Sequence, residues 1–241
     1  MLTTLICLLP LGAFKTFLLV LLGHKIHRSA RIGFSFVHVG RLIMGPGTSI
    51  GHFNLIRCNQ IWMAENARIK QLTRIDGQFS IRMSRGAFIG TRNAIAGGRP
   101  APGAQVKSRL TLGRMTEITT NAFIDMTESV TLRNGTVIAG RGVQIWTHGF
   151  IHREGGGARE MLRGSVLIGR NVYIGSLACI NFGVRIADDV SIGSLTPISK
   201  SLTAPGLYVA AKIRHLPGTA EERLAKFTPR IGRLGRAYYR Q

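Results

Sequence analysis

The sequence predicts a mainly β protein: a parallel β-helix wound from six-residue repeats, with an apolar helix in front and a short basic tail behind. Three observations point there. First, Ile168, Ile174, Ile180, Ile186, Ile192 and Ile198 place an isoleucine at every sixth position without a break. Second, the residue after each is small or polar (Gly169, Gly175, Asn181, Ala187, Gly193, Ser199), and four residues after each isoleucine stand Val172, Ala178, Val184, Val190, Thr196 and Leu202. Third, the chain of 241 residues holds 30 glycines and only 7% aromatic residues, which suits a structure made of repeated tight corners.

A period of six fits neither a helix at 3.6 residues per turn nor a strand alternating in twos. It fits a prism. Each hexad supplies one short flat strand and one corner, and three hexads close a coil. The aliphatic residue points inward and stacks on its counterpart one coil away. The small residue after it lets the chain turn. Parallel hydrogen bonding between coils then pairs all backbone groups except those at the two ends.

Taken in chain order, residues 1–25 form the first element. Leu2 to Leu22 is apolar apart from a few small polar residues and Lys15, and Pro10 interrupts it. Pro10 favours a helix beginning at Leu11 or just before it. No Lys or Arg precedes Lys15 and no small-residue cleavage site is evident, which argues against a signal peptide. Two roles stand open. One is an interfacial membrane helix with His24, Lys25, His27 and Arg28 at its headgroup end. The other is a cap, since the end coil of a repeat protein cannot bury its own face.

The β-helix is expected over residues 26–202. Upstream of the strict hexads, Ile26, Ile32, Met44, Ile50 and Ile56 share a frame, with His38 as the missing member. Ile69, Ile75 and Ile81 continue in a shifted frame, followed by Ile89 and Ile95, then by Leu112, Ile118, Ile124 and Val130. Two segments break the repeat. Residues 97–109, with Gly-Gly and two prolines, read as a loop. Residues 146–164 form a polar, glycine-rich excursion carrying Trp146, Thr147, His148 and His152, and loops on a rigid scaffold are where chemistry concentrates. Residues 203–241 form a basic extension, with a short helix expected over Glu221–Phe227 and an acid-free run from Arg223.

The charge balance is 32 Lys+Arg against 11 Asp+Glu, a formal net +21. Such a surface attracts phosphate-bearing cofactors, anionic lipids or nucleic acid without choosing among them. No helix-turn-helix, zinc-finger or RNP-like motif is visible, so no specific nucleic-acid partner is expected. Three scattered cysteines (Cys7, Cys58, Cys179) argue against a disulfide framework or a zinc cluster and fit a reducing compartment.

The run from Ser165 through Ile168-Gly, Ile174-Gly, Ile180-Asn and Ile186-Ala to Ile192-Gly-Ser194, preceded by Trp146-Thr-His-Gly, resembles the hexapeptide-repeat acyltransferases, in particular sugar O-acetyltransferases of capsule and lipopolysaccharide synthesis. The resemblance covers most of Ile32 to Leu202. It implies a left-handed parallel β-helix, a homotrimer with active sites between neighbouring subunits, and transfer of an acetyl group from acetyl-CoA to a sugar or lipid-linked glycan hydroxyl. The cysteine usage and the +21 charge fit a cytoplasmic protein, peripheral on the inner face of the plasma membrane if it meets an anionic lipid surface.

By the same resemblance His148 is the base that takes the hydroxyl proton, a role suited to imidazole near neutral pH. His152 is the alternative base or a substrate contact, and a loop histidine that merely hydrogen-bonds the backbone is the plainer reading of His148. Asp125 and Trp146 are the acceptor-binding candidates. Asp125 contacts the acceptor or orients the imidazole, unless it is an ordinary corner aspartate; Trp146 stacks on a sugar face or anchors the loop. Glu154 is a further orienting candidate. Gly175, Ser176, Ser194 and Thr196 line the coenzyme arm and Lys200 meets the nucleotide phosphates, with Lys212 a weaker candidate; prism corners need small residues in any case.

Two departures from the pattern stand out. Phe150 occupies a position where many relatives have histidine, and Tyr208-Val-Ala-Ala-Lys-Ile-Arg replaces a Gly-Asn-Pro-Ala ending. No metal is expected. Two rival classes share the period: a γ-carbonic-anhydrase-like zinc enzyme, for which His148 and His152 would supply two ligands and no third is evident, and a non-catalytic β-helix scaffold.

Overall fold

Backbone hydrogen bonding from coil to coil builds a parallel β-helix in the computed structural model, which describes residues 2–9, 12–97, 108–155, 159–210, 225, 227–232 and 235–240. One face is a sheet of 9 strands, from Arg31–Ile32 to Gly206–Tyr208, one per coil. The other two faces count as a single sheet of 14 strands because Phe36–Met44 and Leu55–Met63, 9 residues each, run unbroken around the edge between them. These are longer than a hexad strand. No residue of left-handed conformation interrupts them at that edge, so the chain bends while its ladder continues.

The inward columns explain the frame shifts. On the 9-stranded face Ile32, Ile50, Ile69, Ile89, Ile118, Ile138, Ile174, Ile192 and Tyr208 stack in register. On the second face the column is Val37, Ile56, Ile75, Ile95, Ile124, Ile145, Ile180 and Ile198. On the third it runs Ile26, Met44, Met63, Met83, Leu112, Leu132, Ile168 and Ile186, with Leu202 bridging the last. The place left for His38 by the strict period belongs to Val37, and His38 faces outward. The final paired strand, Gly206–Tyr208, lies past Leu202, with Tyr208 in an isoleucine's place and so invisible to a search for aliphatic hexads.

These side chains form one core. Ile138 is fully buried between Ile118 and Ile174. Ile138→Ala is expected to cost about 2–5 kcal/mol, since stacked coils on both sides limit collapse into the cavity. A urea titration measures it; a loss below about 1 kcal/mol would mean the column is not the main support of the fold.

Corners follow a second rule. Phe53, Leu72, Arg92, Asn121, Leu177 and Leu195 occupy the left-handed region along one edge, and Asn66, Met115, Asn171 and Asp189 along another. Their backbone N–H groups bond to carbonyls of the preceding coil, which offsets a conformation that costs an L-residue roughly 1–2 kcal/mol. The third edge carries the excursion at 148–163, and residues 98–107, where the sequence reads as a loop, lie outside the described residues.

At the N-terminal end two helices, α1 (Leu2–Cys7) and α2 (Gly12–Leu21), stand where one apolar helix was expected. They cover the first coil. Cys7 and Leu19 are fully buried, and Thr4 Oγ1 donates to Val37 O at 3.2 Å. Lys15 turns inward, its ammonium donating to the carbonyls of Cys7 (3.0 Å) and Ile32 (3.1 Å). Burial pushes its pKa down.

Residues from Ala211 onward form a separate unit, in which Phe227–Gly232 and Gly235–Arg240 pair as an antiparallel hairpin. The helix expected over Glu221–Phe227 lies outside the described residues except for Ala225 and Phe227, and Phe227 begins a strand. Lys212, Arg223 and Lys226 lie outside the described residues as well.

Candidate active site

The edge that bears the excursion brings a carboxylate and an imidazole together. Asp125 ends the strand Phe123–Asp125, and His148 follows the strand Gln144–Ile145 one coil later. Because Phe123 pairs with Gln144 and Ile124 with Ile145, the residues leaving these strands turn side by side. His148 then opens an antiparallel hairpin, His148–His152 against Arg159–Arg163. Thus the predicted excursion at 146–164 is largely a strand pair. Gly149 permits its take-off: a Cβ there would stand 2.8 Å from the Phe182 ring.

Asp125 is only 3% exposed, and both carboxylate oxygens are taken. Oδ2 accepts from the Thr147 N–H at 2.9 Å, the Thr147 hydroxyl at 2.5 Å and His148 Nδ1 at 2.7 Å. Oδ1 accepts from the N–H and hydroxyl of Thr127 at 3.2 and 2.9 Å. Burial by itself would raise this carboxyl. Hydrogen bonds from Thr147, His148 and Thr127 outweigh it and hold the group below the usual carboxylate range.

An ionised carboxylate can only accept, so Nδ1 of His148 carries its hydrogen. In the neutral ring the lone pair is therefore at Nε2, which has no hydrogen-bond partner among the described residues. Aromatic edges fix the ring plane. Phe150 lies 5.5 Å away at 86° and Trp146 6.1 Å away at 71°. Trp146 packs on Phe123 at 4.8 Å and donates its Nε1–H to Gln144 Oε1, leaving it half-buried beside the imidazole. The Arg159 guanidinium lies over Phe150 at 4.6 Å.

Other candidates fall elsewhere. His152 is exposed at the outer end of the hairpin, roughly 13 Å along the strand from His148, its side chain making no hydrogen bond among the described residues. Glu154 is exposed in the hairpin turn. Gly175 and Ser176 lie on a different edge, stacked against the corner of Ser194: Leu195 N donates to Ser176 O at 2.8 Å, and a Cβ on Gly175 would meet Ser194 N at 2.8 Å. Ser194 is exposed, whereas Thr196 is 4% exposed and donates to Ser194 O. Lys200 is exposed on the edge of His148, two coils away by the register Ile145–Ile180–Ile198, roughly 10 Å along the axis. Among the described residues no three His, Cys, Asp or Glu side chains gather as a metal site.

Thr127 and Phe182 belong to this site and were not singled out from the sequence, and Thr147 was named there only as part of the excursion, without a role. Parity offered a signal for Thr147: with Ile145 inward, position 147 is inward too, and a buried hydroxyl there needs a partner. Nothing comparable marks Thr127 or Phe182, which depend on the contact between coils.

No family model and no curated protein sequence matches the chain. Solved structures do. The polySia-specific acetyltransferase NeuO is 14% identical over 78% of this chain and 82% of its own, with a TM-score of 0.48. The N-acyltransferase AntD from Bacillus cereus, in complex with dTDP and 3-hydroxybutyryl-CoA, is 15% identical over 87% of this chain and 91% of its own, with a TM-score of 0.38. A variant of AntD with dTDP and coenzyme A is 16% identical over 84% and 86%, with a TM-score of 0.37.

Proposed function

We propose that the protein is an acyltransferase moving an acetyl group from acetyl-CoA to a hydroxyl of a sugar or glycan in surface polysaccharide synthesis. The observation that carries this reading is the buried Asp125 carboxylate, clasped by Thr127 and Thr147, with His148 Nδ1 on it at 2.7 Å and Nε2 left open. An acceptor hydroxyl against Nε2 gives up its proton as its oxygen attacks the thioester carbonyl. The tetrahedral intermediate collapses, the C–S bond breaks, and the departing thiolate takes the proton back from Nε2. Asp125 stabilises the imidazolium between those two transfers. No protein nucleophile is needed, since both substrates are held together.

Trp146, half-buried beside the ring, offers a sugar one aromatic face. The exposed cation Lys200 on the same edge suits the nucleotide phosphates of the donor. Gly175, Ser176 and Ser194 belong to the next edge, and this separation favours a homotrimer in which a neighbouring copy completes each site. A cytoplasmic location fits an acetyl-CoA donor and three free cysteines.

The test is a structure determined after soaking with acetyl-CoA, together with metal analysis of the purified protein. We expect the thioester carbonyl within reach of an acceptor bound at His148 Nε2, roughly 3–4 Å from the attacking oxygen. Absence of donor binding, a donor bound away from this edge, or stoichiometric zinc would overturn the reading.

A further inference from the structure

The helix pair at the N-terminal end buries one face and leaves the other apolar face uncovered. In α2, Lys15 and Leu19 point into the end of the prism, while Phe14 (50% exposed), Phe17 (58%) and Leu21 (67%) point away from it. In α1, Ile6 and Cys7 face inward and Leu2 and Leu5 are more than 60% exposed. A helix apolar on all sides is normally covered on all sides. Capping explains only the inner face.

The charge around this end identifies the cover. From Met1 to Ala64 the sequence has no Asp or Glu; Glu65 is the first acid. Lys15 is spent on backbone carbonyls inside. Lys25, Arg28, Arg31 and Arg41, on and next to the first coil, are all exposed, and the ion pairs among the described residues involve none of them. Exposed Phe34 and Phe53 extend the apolar surface on these same coils. Exposed Phe and Leu beside unpaired cations is the chemistry of the boundary between lipid headgroups and acyl chains. A second copy docking here would set two acid-free cationic ends against each other. Among the described residues no helix is long and apolar enough to cross a membrane, so the pair would lie in the interface.

We propose that the outer face of α1 and α2, with Lys25, Arg28 and Arg31, is a docking surface for an anionic phospholipid membrane. The site stands independently of the acyl-transfer reading, because His148 and Asp125 take no part in it.

The experiment is sedimentation of the full chain with vesicles of phosphatidylcholine alone and of phosphatidylcholine with phosphatidylglycerol, at low salt. The parent should partition onto the phosphatidylglycerol vesicles only. The triple variant F14S/F17S/L21S should lose at least about tenfold in partitioning. K25E/R28E/R31E should lose a comparable factor. In a separate variant, Phe17→Trp, tryptophan emission should shift to the blue on the same vesicles, which tests the surface without removing it. Failure of the parent to sediment overturns the proposal. So does parental binding by the serine variant, since cations alone, as for a nucleic acid, would then suffice. A missing blue shift, or a fall in oligomer mass on serine substitution without lipid, assigns the face to another occupant and overturns it equally.

Discussion

Replacing His148 with alanine should lower acetyl transfer by on the order of 10²–10⁴-fold, the range expected when a general base is removed from a site that still binds both substrates. The fold should survive. His148 is only partly buried and stands at the foot of a hairpin, and Asp125 keeps its four hydrogen bonds from Thr127 and Thr147. Donor affinity should change little, because no donor contact is assigned to the imidazole. His152→Ala is the matched control, since this side chain lies out on the same strand with no carboxylate behind it. Rates for both variants, measured as acceptor-dependent release of the coenzyme thiol, decide the matter. Parental activity in His148→Ala, or a larger loss in His152→Ala, would remove His148 from the mechanism.

Asp125→Asn should damage both rate and stability. The carboxylate accepts five hydrogen bonds. An amide presents one oxygen and one donor NH₂. With the oxygen toward Thr147, the NH₂ meets the Thr127 donors. With the oxygen toward Thr127, the NH₂ meets the Thr147 N–H and His148. That second arrangement makes Nδ1 an acceptor, moves the ring hydrogen to Nε2, and removes the base. A rate loss on the order of 10²–10⁴ follows, with about 1–3 kcal/mol of stability lost per buried donor left unpaired.

The pH dependence has a definite sign. The folded carboxyl is held below its ordinary value, so the unfolded chain binds more protons between the two pKa values and stability rises with pH there. The contribution is complete above the unfolded pKa, about 3.9, and is lost as pH falls through the lower, folded one. Urea titrations of parent and variant should therefore differ by a constant amount near neutrality, begin to converge as pH falls below about 4, and meet below the folded pKa. A gap that persists there would mean the stability comes from packing and not from the ionised carboxylate.

Much of this protein was written in local stereochemistry. A hexad needs only one inward aliphatic residue and one small corner, both read along a single stretch of chain. The six isoleucines from Ile168 to Ile198 therefore determined the prism, its inward columns and its corners without reference to any other segment. The excursion carrying His148 was legible for the same reason, as a polar interruption of a strict period.

What lay between coils was decided only by the tertiary structure. Strand alternation puts Asp125 outside, because Ile124 is inside; it is buried because Thr147 and His148, on the following coil, close over it. Which residue of one coil meets which of the next depends on the number of residues at every intervening corner, and frame shifts such as His38 to Val37 change that number silently. The same holds at the N-terminal end. Hydrophobicity marked Leu2–Leu22 as a helix needing cover, and only packing on the first coil divided it into a face that caps and a face still exposed. A six-residue period determines what each side chain does within its own turn, while the contacts that make a base or a docking surface form between turns.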